Sequence, residues 1–112
     1  LTAAVYTLTV EQGASFGQSF LIQDATGAAL DLTGCTAAMQ VRTSVSDPDA
    51  LLTLTTADGG LVIAAGTITP VFDTDALPPG LYVYDLKLTD AGGEVFRLLQ
   101  GTFNVTGEVT TI

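Results

Sequence analysis

Asp85 and Lys87 stand two residues apart in "LPPGLYVYDLKL", residues 77–88, and Arg97 follows across a short turn. An acid beside two cations is a grouping that can hold a small anion. Residues two apart on a strand point to the same side, so Asp85 and Lys87 share a face. The turn "TDAGGE" returns the chain so that Arg97 comes near Lys87 on the partner strand. Catalysis is a poor use of this set. The chain has no histidine, and its one thiol, Cys35, is remote in sequence. No nucleophile can therefore be paired with a base. A solvated cross-strand ion pair, or a contact within a subunit interface, asks for nothing more than these residues. The expectation is a protein with no catalytic residues and no cofactor, with Asp85, Lys87 and Arg97 as interface candidates.

The other reactive side chains lead to the same place. Calcium would look to "DPD" at 47–49 or "DTD" at 73–75. Neither has the later ligands or the glutamate of a calcium loop, and loop aspartates more often form turns. One cysteine without histidine excludes a zinc site. "ADGGLV" and "GEVTTI" match neither the phosphate-binding loop nor the dinucleotide fingerprint. Cys35 reads as a small apolar residue at the edge of a core. No metal is expected.

Charge narrows the partners. Twelve acids against three cations (Arg42, Lys87 and Arg97) leave a net charge of −9. Nucleic acid and anionic membrane surfaces both require clustered cations, so neither is an expected partner. No apolar run reaches the ~18 residues of a membrane span, and no signal peptide is visible. Only 13% of the residues are charged, against about 25% in an ordinary soluble domain. Mean hydropathy is +0.48. A surface this poor in charge is expected where neighbouring subunits cover it.

Period-two alternation runs through nearly the whole chain. "VYTLTVE" sets Val5, Thr7 and Thr9 against Tyr6, Leu8 and Val10. "TAAMQVRT" sets Ala37, Met39 and Val41 toward a core and Ala38, Gln40 and Arg42 away from it. "LYVYDLKLT" places Tyr82, Tyr84, Leu86 and Leu88 on one face, and "EVFRLLQGTFNVT" is its return strand. Gly101 predicts a bulge or bend there. Pro70 lacks an amide hydrogen and predicts a sheet edge for "GTITPVF". Asp73 predicts the cap of one helical turn. One domain over residues 1–112 is expected: an antiparallel, immunoglobulin-like β-sandwich of seven or eight strands. "DALPPGLY" has the form of a tyrosine corner, with Tyr82 bonding backbone upstream.

"VEQGASFGQSFLIQDATGAALDLTGCTAAMQVR", "LTLTTADGGLVIAAGTITPVF" and "GLYVYDLKLTDAGGEVFRLLQGTFNVTGEVT" together resemble a group of small bacteriophage virion proteins. That group is similar to the immunoglobulin-like N-terminal domain of baseplate upper proteins in tailed phages. The resemblance covers roughly residues 5–110 and departs at Glu11-Gln12-Gly13, where that group often carries a basic residue. It implies a non-enzymatic structural protein of the virion, made in the bacterial host cytoplasm. Such a protein would be an adaptor or fibre-attachment subunit of the tail or baseplate, in contact with other virion proteins and with copies of itself. Two other roles stay open: capsid decoration, and carbohydrate binding at the host surface. The apolar ends, "LTAAVY" and the tail bearing Val109 and Ile112, are expected to dock on neighbouring subunits of a symmetric oligomer.

Overall fold

The computed structural model describes residues 4–24 and 26–110. The strands, in chain order, are β1 (Ala4–Val5), β2 (Leu8–Glu11), β3 (Phe20–Leu21), β4 (Thr36–Arg42), β5 (Leu52–Thr55), β6 (Leu61–Ala64), β7 (Thr67–Pro70), β8 (Gly80–Thr89) and β9 (Val95–Thr106). β1 and β2 are two halves of one interrupted run along β9, so the nine segments form eight strands. There is no helix among the described residues. Asp73 opens a simple turn closed by Ala76 N–H donating to Asp73 O at 3.0 Å. The helical turn expected there does not form.

Two sheets enclose one core. The larger runs β1-β9-β8-β4-β5, with β2 also on β9, and the smaller runs β3-β7-β6. This is the strand arrangement of an immunoglobulin-like sandwich. The alternation seen in β4 and β8 is what builds it. Ala37, Met39, Val41, Tyr84, Leu86 and Leu88 all turn inward and are buried. They meet Phe20, Leu61 and Ile68 from the other sheet, together with Phe103 and Leu8 of their own sheet. Each large side chain fully buried there contributes about 1.5–3 kcal/mol relative to exposure. Cys35 is half-buried against this cluster.

Three features differ from the expectation. The first run pairs parallel, not antiparallel, with β9: Ala4 opposite Leu99, and Leu8 opposite Phe103. The apolar start of the chain, where described, thus belongs to its own sheet. β7 is the middle strand of its sheet, not an edge. Pro70 is tolerated because β3 pairs only as far as Ile68, so no ladder bond is asked of the Pro70 nitrogen on that side. The bulge of the β8–β9 pair lies at Leu98, between the pairs Leu86–Leu99 and Lys87–Arg97, and not at Gly101.

Gly101 has a different task. Its φ is +154°, and a Cβ there would run into the Tyr6 carbonyl. It lies opposite Tyr84. Bare backbone at Gly101 lets the Tyr84 hydroxyl reach past β9 and donate to Tyr6 O at 2.7 Å. Tyr6 N–H meanwhile donates to Gln100 O at 2.9 Å. The gap between β1 and β2 is where this bond replaces the ladder.

The outer face of the larger sheet as a candidate site

The bulge shapes the site. "RLLQ" carries two successive leucines, and regular alternation would turn one of them to solvent. The extra residue at Leu98 lets both pack inward: Leu98 is buried and Leu99 is half-buried against the core. Arg97 and Gln100, three apart, consequently share the outer face, and Arg97 Nη1 donates to Gln100 Oε1 at 3.1 Å. Asp85 pairs with Gln100, and Lys87 with Arg97. Arg97 Nε lies 3.7 Å from Asp85 Oδ2, both side chains open to solvent. An exposed pair of this geometry is worth at most about 1 kcal/mol.

On the other side of β8, Ala38 opposes Lys87, Gln40 opposes Asp85 and Arg42 opposes Val83. Arg42 is held in place twice. Its Nη2 donates to Gln40 Oε1 at 2.8 Å and its Nη1 to Asp47 O at 2.9 Å. All three cations of the chain, Arg42, Lys87 and Arg97, therefore line one surface. Between them lies a shallow depression of about 580 Å³, bordered also by Val5, Val45 and Val83, with Tyr84 and Gly101 at its floor. Val45 and Val5 are 89% and 76% exposed. Of the twelve acids, Asp85 alone is in the lining.

The structure thus brings Asp85, Lys87 and Arg97 together and adds Arg42, Gln40 and Gln100. Arg42 was legible as outward-facing from its alternation with Val41. What the sequence did not disclose is that β4 neighbours β8 on this face. Val109 is not part of the group. It is 100% exposed, beyond the end of β9 that pairs with Gly80, whereas Arg97 is at the hairpin end. Ile112 lies outside the described residues.

Six of the remaining eleven acids work in turns. Asp24, Asp31, Asp47, Asp58, Asp73 and Asp90 each accept, through Oδ1, the backbone N–H two residues on. This is the Asx-turn, a local device for shaping loops. The hydroxyl and N–H of Thr26 hold Asp24 below the ordinary carboxylate value, and those of Thr33 do the same for Asp31. The Thr43 hydroxyl lowers Asp47, and the Gly60 N–H lowers Asp58. "DPD" and "DTD" are such turns, and no three of His, Cys, Asp or Glu converge on a metal position among the described residues. Tyr82 makes the corner bond, its hydroxyl donating to Pro78 O at 2.7 Å in an exposed setting. Tyr84 is the buried tyrosine. Burial, with Tyr6 beside it, pushes its hydroxyl up to about 12.

No protein-family model matches the chain, and no curated protein matches it. Among solved structures it is similar to CopC from Methylosinus trichosporium OB3b, at 12% identity and a TM-score of 0.41, over 68% of this chain and 67% of that one.

Proposed function

We propose that the protein is a non-enzymatic structural subunit of a bacteriophage particle, an adaptor or fibre-attachment piece that works through protein–protein contacts. One observation carries the interaction half of this reading. The whole cation complement of an acidic, charge-poor chain is gathered on one outer sheet face, with both guanidiniums held by neighbouring side chains. A pre-oriented polar face bordered by exposed valines is what a partner protein recognises. The placement on a phage particle rests on the sequence resemblance over residues 5–110.

The test is to purify particles induced from the bacterium that carries the gene and to measure this chain in them by mass spectrometry. Antibody-labelled electron microscopy of the same particles locates it. The expected result is a fixed copy number per particle, with label at the tail or baseplate. Label over the head would make it a capsid decoration protein. Absence from the particles would sink the proposal.

A further inference from the structure

We infer that the basic face docks a second copy of this chain, head to tail, and that the neighbour presents its acidic hairpin end. The inference deepens the reading of the chain as an assembly subunit and names one of its contacts. The register places the neighbour's contact. Thr36 of β4 pairs with Thr89 of β8, and Ala38 pairs with Thr55 of β5. The segments before β4, after β5 and after β8 therefore open at one end of the sandwich. That end carries Asp31, Asp58, Asp90 and Glu94, and the first segment touches the last where Gly34 lies against Ala91. Asp31, Asp58 and Asp90 use Oδ1 for their own turns; Asp31 and Asp58 are exposed, Asp90 is half-buried, and residues 91–94 are exposed at the tip of the longest hairpin.

The second copy is favoured over other acidic partners by charge. Only Asp85 of the twelve acids lines the depression, with Asp47 near enough to Arg42 to feel its charge, so every copy carries most of its carboxylates elsewhere and supplies the complement of that face. At ~0.15 M salt the Debye length is about 8 Å. The net repulsion between copies of charge −9 is then largely screened, and the short-range pairing of carboxylates with Arg42, Lys87 and Arg97 decides. Lys87 and Arg97 adjoin the acidic tip on the same hairpin, and a face-to-end contact repeated head to tail is heterologous and closes into a ring or continues as a filament.

Charge exchange tests this. Lys87→Glu/Arg97→Glu reverses the face, and Asp90→Lys/Glu94→Lys reverses the end. Mass by sedimentation velocity at ~0.15 M salt over a concentration series is the readout, with far-ultraviolet spectra and melting temperature as fold controls. The wild type should self-associate, and each variant alone should associate at least tenfold more weakly. An equimolar mixture of the two variants should recover association, because each then offers what the other lacks. If a double variant does not fold, Lys87→Glu mixed with Glu94→Lys repeats the exchange with one charge on each side. A monomeric wild type, variants that associate as well as wild type, or a mixture that stays apart would each overturn the inference. Particles that incorporate the chain while the purified chain stays monomeric would remove this contact and leave the structural role standing.

Discussion

Tyr84 concentrates more of the fold in one atom than any other residue. Its hydroxyl joins β8 to the first run across β9 in a part-buried setting, the Tyr84 side chain itself being buried. Tyr84→Phe is expected to cost roughly 1–1.5 kcal/mol, since it removes a part-buried bond that ties two strands. Tyr82→Phe breaks an exposed bond to Pro78 O and should cost about 0.5–1 kcal/mol. Denaturant unfolding of both variants checks the order, and equal costs would contradict it. The same burial has a pH consequence. The neutral hydroxyl is favoured in the fold, so its contribution is whole below the ordinary value of 10.0 and is lost as pH rises through about 12. Ultraviolet difference spectroscopy should show a late-titrating tyrosine that is absent from Tyr84→Phe.

At the scale of elements, Gly101 decides whether the first run can lie along β9. Gly101→Ala sets a methyl against the Tyr6 carbonyl and forces a residue other than glycine to φ +154°. Strain of this kind costs roughly 1–3 kcal/mol. The expected outcome is lower stability together with faster hydrogen exchange at the Tyr6 amide, which donates to Gln100 O. Unchanged exchange at Tyr6 would mean that β1 is held by something else. Glycine at this point was visible in the sequence, but its purpose was not. A bulge is a relation between neighbours in one hairpin, and "LL" at 98–99 marks it better than glycine does. The close approach at Gly101 involves a residue 95 positions earlier, and no local pattern carries that. For the same reason β4, β8 and β9 were legible strand by strand, with their inward residues, while the parallel pairing of the first run was not. Antiparallel hairpins announce themselves through turns such as "DAGG", whereas parallel partners are joined by the rest of the chain. The candidate face was legible as Asp85, Lys87 and Arg97. Its fourth member, Arg42, needed the sheet order that places β4 beside β8.

For the whole molecule, acidity acts in two opposite directions. A net charge of −9 makes the loops of one chain repel one another at neutral pH. Against this, Asp24, Asp31, Asp47 and Asp58 are ionised more readily in the fold than the ordinary 3.8, because hydroxyls and backbone amides donate to them. A group whose folded value is depressed stabilises above its unfolded value and loses that contribution as pH falls through the folded one. Stability should therefore hold from pH ~7 toward ~5, then decline below the ordinary 3.8 as these turns lose their ionised acceptors. The decisive comparison replaces all four aspartates by asparagine. An asparagine oxygen still accepts the turn N–H but without the charge that strengthens the bond, so the variant should be less stable than wild type at neutral pH. Its melting temperature should fall much less between pH ~4 and ~2 than that of the wild type, because the replaced side chains have no proton left to bind. Acid limbs of equal depth in the two proteins would show that the carboxylates which govern low-pH stability lie elsewhere.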